Sequence, residues 1–535
     1  MPKNIIKEYD LTSINNVENN IFAVVVPGLA QPETVDDTIW DENSICEINP
    51  LDPNTWKGRT AGDTSKTAQQ WFKKYIGCVP YAAESEAAVP AVAVALNTSP
   101  TEGYYTIPAG TKVYTQSAAA TFTPGYLVDN SGYEYTYVFT SDGYGKFPVA
   151  DVYYQLTNEG KNATTAYGSI GNQVAYELLG IGYPVLYKKI TNIDTDYTWG
   201  NFSCLVDRNN YVFRYIVTGL KNDAAATSDT ITATPAEKLI LKIASKYNTE
   251  VTENGRGDCI ALVDIPTDAY KNSPSPVPAT VITQSKAYAK AFVTNDEGKI
   301  KITESKYLGI FEPEFTFIPQ DNTYPYTNTT LPAYVYYLAS AKEAELNNYD
   351  EWFAIAGKTR GTNSFYKIKG FGYNFGESAA DALQPRDTHE YPSVNTVIRI
   401  KNSNYTYSYY IWGNRTAYCP KEATDLKASH FLNIRQLCCG IKNAIYDACC
   451  DLKFEPNNII LWNNFCNKIR PILEKAQANQ GIEDYRILKV ATERKAEVKA
   501  IVRIVPVEAV EDFDISLTLE DGITGTLVSF DEDDE

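Results

Sequence analysis

The sequence predicts a multidomain α+β protein, in which an α/β region is followed by a C-terminal α+β module of two helices on a small sheet. Three observations support this fold class. The chain has 535 residues, which at roughly 100–200 residues per domain suffices for several domains. Short apolar runs, typical of buried strands, alternate with helical repeats in the first 400 residues. The C-terminal part then carries two long amphipathic repeats followed by strand patterns.

Composition and charge exclude several classes of protein. Hydrophobic residues make up 44% of the chain and charged residues 21%, which is ordinary for a globular protein. The net charge of −18 would repel phosphates, so we expect no direct nucleic-acid partner. The longest small-apolar stretch, around 87–96, falls short of the ~20 residues that cross a bilayer. Residues 1–4 also lack the pattern of a secretory signal, so we expect neither export nor stable membrane insertion.

The residues that usually carry catalysis or bind metals show no motif spacing, and histidine is scarce. The ten cysteines show no paired spacing of the zinc-binding type, and the pairs at 438–439 and 449–450 share one helix face. We expect reduced, buried thiols, as in a cytosol. With only His389 and His430 present, histidine-centred catalysis is disfavoured. The sequence therefore predicts no enzyme activity, no cofactor and no metal site.

Two short patterns are weak matches to binding motifs. Residues 357–359 (Gly-Lys-Thr) resemble the end of a phosphate-binding loop, but Trp352 stands where the earlier glycine is required. Residues 256–258 spell the tripeptide Arg-Gly-Asp, for which chance is the better explanation. Neither pattern supports a binding site.

The N-terminal half begins with a polar segment, 1–20, that cannot form a core alone but is able to add a strand to a neighbouring sheet. The apolar run 21–26, closed by Pro27 and Gly28, predicts a strand buried on both faces. Residues 67–76 predict a helix that ends at Gly77. Between 100 and 154 the composition shifts to Gly, Thr, Tyr and Ser, which predicts a β-rich surface insertion.

The next region alternates helices and strands. Residues 173–179 and 235–247 predict helices, whereas 184–190 and 259–263 predict strands. This alternation is typical of an open α/β layer. The pattern of the Tyr-rich span 324–338 predicts neither a helix nor a strand.

The C-terminal quarter has the clearest periodicity. Apolar residues repeat at steps of three and four from Phe431 to Leu452 and again from Trp462 to Ala476, which predicts two helices, the second kinked at Pro471. Strands are predicted at 485–490 and 498–505, and a further one at 513–519 alternates apolar and polar residues. We expect an edge of this small sheet to be covered by another segment.

These patterns divide the chain into six parts. They are 1–20, an extended arm; 21–99, the start of the α/β domain; 100–154, the β-rich insertion; 155–404, the remainder of the α/β domain; 405–511, the C-terminal module; and 512–535, a strand arm and acidic tail. From 506 to 535 there are eleven acidic residues and no basic one. This tail is either a solvated end or an acidic arm that meets a basic surface on another subunit.

Several motifs of the C-terminal module resemble those of contractile tail sheath proteins. The strongest matches are 412–416 (Trp-Gly-Asn-Arg-Thr), 454–457 (Phe-Glu-Pro-Asn), Trp462, 481–485 and 498–506. Weaker resemblances to the family occur earlier in the chain and in the order of the family, at 23–28, 180–187, 258–266 and 352–357. The strong part covers about 125 residues. The insertion at 100–154 and the tail after Leu519 depart from the family pattern.

The resemblance implies a mechanical role rather than a catalytic one. Sheath subunits join one another by arms that add strands to a neighbour's sheet. The implied partners are further copies of the chain in a helical homopolymer, an inner tail tube, and baseplate and tail terminator proteins. Contraction would then drive the tube through a target cell envelope. The implied location is a virion tail assembled in the host bacterial cytoplasm.

Residue-level expectations follow for two kinds of contact. The inter-subunit strands are expected to use the apolar residues of the two arms, namely Ile5, Ile6, Tyr9, Leu11, Phe513, Ile515, Leu517 and Leu519. An acidic tube surface is expected to meet basic residues around the first C-terminal helix, namely Arg415, Lys421, Lys427, Arg435 and Lys442. For the first set, the alternative is that the strands close their own sheet; for the second, it is ordinary solvated charge. Because Arg415 belongs to a matched motif, a fold-holding role is expected for it before a contact-making one.

A different class of function stays open. A high tyrosine content, here 40 residues, and a β-rich insertion are also found in secreted carbohydrate-active or adhesive surface proteins. Such a protein needs an export signal and, for hydrolysis, a carboxylate pair held on rigid strands. The sequence shows neither clearly, so the sheath interpretation is preferred.

Overall fold

The computed structural model describes a little over half of the chain. The described residues are 24–29, 40, 43–60, 62–77, 105–107, 112–115, 137–138, 143–145, 152–155, 163–190, 196–219, 234–245, 255–265, 278–290, 292, 302–320, 329–385, 391–419, 428–492 and 497–509. Both predicted arms, 1–20 and 512–535, lie outside these ranges.

Strands and helices alternate through most of the described chain. The strands are β1 Val24–Leu29, β2 Ile45–Ile48, β3 Tyr105–Ile107, β4 Lys112–Thr115, β5 Tyr137–Val138, β6 Gly143–Gly145, β7 Val152–Gln155, β8 Val185–Ile190, β9 Tyr215–Val217, β10 Ile260–Asp264, β11 Leu308–Glu312, β12 Phe315–Ile318, β13 Thr330–Leu331, β14 Lys367–Phe371, β15 Asn395–Lys401, β16 Tyr407–Trp412, β17 Ile482–Val490 and β18 Lys499–Pro506. The helices are α1 Ala68–Phe72, extended by a π turn over Lys73–Gly77, α2 Ala163–Gly180, α3 Trp199–Phe202, α4 Pro235–Ala244, α5 Pro278–Lys290, α6 Ala333–Leu346, α7 Gly357–Arg360, α8 Glu377–Asp381, α9 Leu432–Cys450 and α10 Ile459–Ala478.

An eight-stranded sheet forms the centre of the α/β region. Its strand order is β16-β15-β11-β10-β9-β1-β8-β2. The six inner strands run parallel to their neighbours, and the edge strands β2 and β16 are antiparallel. Parallel sheets need helices on both faces to cover their side chains. The mixed α/β architecture expected from the sequence is confirmed, with β9, β11, β15 and β16 as strands that the sequence pattern did not predict.

Both faces of the sheet are buried against helices. In β1, Val24 and Val26 point into one hydrophobic core and Val25 into the other. The first core also takes residues of α2 and α6, and the second takes residues of α4 and α5. The run of apolar residues in β1 therefore reflects burial on both sides, as the sequence predicts.

The strand β1 runs past the residues that were expected to end it. Pro27 and Gly28 stay paired with β8 up to Leu29. Proline is tolerated there because β9 pairs only with Val24 and Val25, so beyond them β1 has a single neighbour. Gly171 of α2 lies close by, and a Cβ atom on it would lie 2.1 Å from the Pro27 carbonyl oxygen. Helix α2 thus packs directly against the backbone of β1.

The predicted insertion contains only short strands in its described parts. They form two small antiparallel sheets, β3–β6 and β5–β4–β7. A third small sheet, β13–β12–β14, lies later in the chain. Among the described helices, none combines the length and the apolar character required to cross a membrane.

Candidate assembly interface at the C-terminal hairpin

The C-terminal module is attached to the α/β domain through a helix that belongs to two cores. In α9, Leu432 and Cys439 are fully buried in the first core of the α/β domain. On another face of the same helix, Leu437 and Ile441 lie in a separate small core with residues of α10. Because one rigid helix contributes to both cores, the module is fixed in its position relative to the large sheet.

The residues 412–416 hold the start of α9. Asn414 donates from Nδ2 to Oδ1 of Asn433 at 2.7 Å, and its own Oδ1 accepts the backbone N–H of Asn433 at 3.2 Å. The backbone N–H of Thr416 donates to the carbonyl of His430 at 2.8 Å. Arg415 donates from Nη1 to Nε2 of His430 at 2.7 Å, so that imidazole is neutral and carries its proton on Nδ1. The motif that resembles the sheath family is therefore a structural clamp.

A buried arginine forms a second clamp on α9. Arg214, at the start of the β9 region, donates to the backbone carbonyl of Gln436 and, at 2.7 Å, to Glu351 Oε2. Burial is the largest single effect on Arg214 and lowers its pKa, but the Glu351 carboxylate, together with Cys439, Tyr215 and Asp258, more than offsets it, so the pKa of Arg214 is raised. Glu351 reaches this position because Gly440 has no side chain, since a Cβ there would lie 1.9 Å from Glu351 Oε1. Gln436 completes the clamp by donating to the hydroxyl oxygens of Tyr215, at 2.6 Å, and Tyr337.

The structure buries two of the basic residues expected to face a tube. Arg415 and Arg435 are 5% and 6% exposed. Arg415 bonds to His430, and the guanidinium of Arg435 lies 4.9 Å from the ring centre of Tyr307. Lys442 is half-buried and donates from Nζ to the Gly257 carbonyl at 2.8 Å. All three cations make contacts within the chain, and a tube contact stays a prediction that the burial of Arg415 and Arg435 argues against. Lys421 and Lys427 lie outside the described residues.

Strands β17 and β18 form an antiparallel hairpin that packs on α10 with one face. The register pairs Tyr485 with Ile504 and Ile487 with Val502, and all four side chains are half-buried against the small core. Gly481, just before β17, lies against the Trp352 indole, where a Cβ would be 3.0 Å from ring atoms. The Trp352 N–H donates to the Asn479 carbonyl at 2.8 Å. The 481–485 and 352–357 motifs therefore meet at the base of the hairpin.

The hairpin is an incomplete sheet within the described residues. It has two strands, and each strand has one edge without a described partner. A two-stranded sheet is only marginally stable in water, and a third strand or a helix is usually needed. Helix α10 supplies the support on one face only. The expectation that an edge of this sheet is covered by another segment stays a prediction, because the residues expected to cover it, in both arms, lie outside the described residues.

The loop that resembles the Phe-Glu-Pro-Asn turn connects α9 to α10. Phe454 adopts a positive φ of 70° and is fully exposed. Asn457 donates to the Glu497 carbonyl at 3.3 Å, which ties this loop to the turn of the hairpin. Asn458 caps α10 by accepting the Leu461 N–H at 3.0 Å. Helix α10 then runs from Ile459 to Ala478 with Pro471 inside it.

Carboxyl groups at the ends of β10 and β11 hold helices in place. In open α/β sheets, this edge is where ligands commonly bind. Here Asp264 accepts the first N–H of α6, from Ala333, at 2.8 Å, and Glu312 accepts the Ser285 hydroxyl of α5 at 2.7 Å. Burial raises the pKa of Glu312 to about 8. In the described part of the chain, no three His, Cys, Asp or Glu side chains are placed to hold a metal ion.

The Arg-Gly-Asp tripeptide at 256–258 has a structural explanation. Arg256 and Asp258 are 3% and 0% exposed and form an ion pair at 2.9 Å, so an adhesion role of this tripeptide is excluded.

The nine cysteines of the described ranges are all outside disulfides, and four of them are buried. The remaining five are half-buried, which corrects the expectation of uniform burial.

No protein-family model matches the sequence, and no curated protein matches it. Solved structures are similar to the chain at low identity. A sheath complex in the contracted state, from the extracellular contractile injection system PVC, is 13% identical with a TM-score of 0.43 over 65% of this chain and 80% of that one. The baseplate of the anti-feeding prophage (AFP) is 12% identical, with a TM-score of 0.42 over 65% of this chain and 80% of that one. The sheath tail protein of Desulfitobacterium hafniense is 9% identical, with a TM-score of 0.38 over 95% of this chain and 100% of that one. The resemblance seen in the sequence thus extends to sheath structures, but at these values the chain's own residues have to carry any assignment of function.

Proposed function

We propose that this chain is the structural subunit of a contractile tail sheath. It polymerises helically around an inner tube and, on contraction, drives the tube through a target cell envelope. The observation that carries the proposal is the two-stranded hairpin β17–β18, which has one supported face and two edges without a described partner. The motifs that resemble the sheath family lie at this hairpin and at the clamps that anchor it.

The edges of the hairpin are suited to accept strands from other copies. A strand placed beside β17 or β18 gains main-chain hydrogen bonds along its whole length. Every second side chain of that strand would continue the apolar inner face over α10. The segment 513–519 has this alternation, with Phe513, Ile515, Leu517 and Leu519 on one side. The N-terminal arm, through Ile5, Ile6, Tyr9 and Leu11, is proposed for a second edge.

Strand exchange gives a connected assembly that is able to change shape. Each arm joins two subunits by backbone bonds that do not depend on the angle between the two bodies. The extended sheath is then a kinetically trapped state. A baseplate signal releases it, and new lateral contacts stabilise the shorter, wider form. A few kcal/mol per subunit, summed along the sheath, supply a large stroke.

Further partners follow from the proposed sheath role. They are the tail tube, the baseplate and the tail terminator, and the location is a virion tail assembled in the bacterial cytoplasm. Lys421 and Lys427 stay as proposed tube-facing residues, while Arg415, Arg435 and Lys442 are held inside the chain. No catalytic step is assigned to the subunit.

Electron microscopy of the purified protein tests the proposal. Long helical tubes or ordered polymers are expected, and deletion of residues 1–14, or of all residues after Asp512, is expected to abolish them. The matched control is the thermal unfolding of the α/β domain, which both deletions should leave largely unchanged. Tubes that persist in both truncated proteins would contradict strand exchange. A persistent monomer that cleaves glycans would favour the alternative, a carbohydrate-active surface protein.

A further inference from the structure

The face of the hairpin that points away from α10 carries cations and exposed apolar side chains. We call it the outer face; its residues are Asp484, Arg486, Leu488 and Val490 of β17 and Lys499, Ile501, Arg503 and Val505 of β18. The antiparallel register places Leu488 opposite Ile501 and Arg486 opposite Arg503. Side chains that are directly opposite each other share one face of a sheet. The outer face therefore has an apolar pair beside a pair of like charges.

Both pairs are unfavourable on a surface that stays in water. Leu488, Ile501 and Val505 are 39%, 40% and 48% exposed. Two arginines directly across a strand pair repel each other. Arg486 has one weak ion pair, with Asp484 at 3.8 Å, whereas Arg503 makes no ion pair with any described residue. An anionic segment that also carries apolar side chains would relieve both problems.

The end of the chain has this combination. Residues 527–530 are Leu-Val-Ser-Phe, and 531–535 are Asp-Glu-Asp-Asp-Glu. Five carboxylates thus follow directly after three large apolar residues. In a chain with a net charge of −18, a cationic face is the surface on which such a segment can bind without repulsion.

The available chain length also agrees. In the proposed strand exchange, Leu519 of one copy ends beside the hairpin of its neighbour. The sixteen residues from 520 to 535 can extend over roughly 50 Å, whereas a strand of eight residues, such as β18, spans roughly 27 Å. The segment is therefore long enough to turn at the hairpin edge and return over its outer face.

We infer that residues 527–535 of one copy bind the outer face of the hairpin of a neighbouring copy. The apolar residues cover Leu488 and Ile501, and the carboxylates pair with Arg486, Arg503 and Lys499. This inference rests on the proposed strand exchange, which places the tail beside that neighbour. The acidic tail then acts as an electrostatic fastener on top of the backbone bonds of the arm, and the strength of the fastener depends on salt.

Zero-length crosslinking tests the contact with native residues. Polymers are assembled from an equal mixture of 15N-labelled and unlabelled protein and treated with a carbodiimide, which couples lysine amines to carboxylates that touch them. We expect peptides that join Lys499 to residues 531–535, with half of the crosslinks mixed in isotope. Crosslinks only within one copy, or from the tail to other lysines only, would overturn the inference.

Charge reversal gives an independent test. Arg486→Glu with Arg503→Glu is expected to raise the protein concentration needed for polymerisation roughly tenfold at low salt and to abolish its salt dependence. Reversing residues 531–535 to lysine should restore polymerisation of this double variant. Arg486→Lys with Arg503→Lys should polymerise normally, and Lys57→Glu, at an exposed cation far from the hairpin, is the control. Circular dichroism melting checks that each variant is folded.

Truncation distinguishes this inference from the proposed function. A chain that ends at Leu519 keeps the strand and lacks the tail, so it is expected to polymerise with weakened salt dependence. If this chain behaves like the full-length protein while truncation after Asp512 abolishes polymers, the tail contact is wrong and strand exchange stands. If truncation after Asp512 leaves polymers intact, strand exchange itself is wrong.

Discussion

Glu312 is a carboxyl group whose replacement should stabilise the protein in alkaline solution. Its side chain is 0% exposed, and Oε1 has no hydrogen-bond partner among the described residues. Burial raises its pKa from 4.5 to about 8. The folded chain therefore keeps a proton that the unfolded chain releases, and the stability that depends on this proton is complete below pH 4.5 and is lost as the pH rises to about 8.

The shift sets the size of the effect. At about 1.4 kcal/mol per pKa unit, the raised pKa of Glu312 lowers the free energy of unfolding at pH 9 by at most roughly 5 kcal/mol. Glu312→Gln has no proton to lose, and its amide oxygen can still accept the Ser285 hydroxyl. We expect the variant to melt several degrees above the parent protein at pH 9 and within about 2 °C of it at pH 5.

Differential scanning calorimetry at half-unit steps between pH 5 and 9 measures this difference. Glu377→Gln, at an exposed carboxylate on α8, is the matched control and should follow the parent curve at every pH. A melting difference between Glu312→Gln and the parent protein that is the same at pH 5 and pH 9 would refute the reasoning, because a packing effect does not titrate. A variant that is less stable only at high pH would refute its sign.

Three further predictions concern packing and the clamps. Arg214→Met should destabilise the junction of α9 with the large sheet by about 3–5 kcal/mol, because Glu351 is left without its partner. Urea unfolding followed by tryptophan fluorescence measures this loss of stability. The control is Arg399→Met, at an exposed arginine. Gly171→Ala should lower the melting temperature strongly, since its Cβ would lie 2.1 Å from the Pro27 oxygen, whereas Gly370→Ala, where the space is open, should not; equal melting temperatures would contradict the close packing of α2. Burial raises the pKa of the Cys259 and Cys439 thiols, so both should resist iodoacetamide in the native protein while Cys466 reacts, as mass spectrometry would show.

The parts of the fold that the sequence predicts are those with a simple period. Strand β10 is a short apolar run, and α9 and α10 have apolar residues at steps of three and four, so their burial follows from spacing alone. Helix α6 was not predicted because it has no polar face: eleven of its fourteen residues are buried. A helix covered on all sides loses the amphipathic period by which helices are recognised. Strand β9 has only three residues, too few for any period to show.

The site was predictable as a hairpin but not in its polar contacts. Residues 485–490 and 498–505 were predicted as strands, and an edge of their sheet was expected to need cover. The role of Arg435 could not be predicted, because its charge suggested a surface, whereas Arg415 was expected from its motif to hold the fold. Arg435 contacts Tyr307, which is more than a hundred residues away, and no local pattern reveals such a partner. Paired, buried arginines look the same in a sequence as solvated ones.

The two clamps on α9 also bear on where the proposed polymer would change shape. Arg214, Gln436 and the 412–416 segment fix α9 to the large sheet, while Leu437 and Ile441 of the same helix fix α10 and the hairpin. Movement of the hairpin relative to the α/β domain would have to break buried ion pairs and hydrogen bonds, which costs several kcal/mol. In the proposed strand exchange, by contrast, contacts at the hairpin edges are backbone hydrogen bonds to another copy, and these would survive a change of angle between two bodies. A transition between two states of the polymer is therefore expected to leave the described clamps intact and to take place between subunits, so that each one moves as a rigid unit.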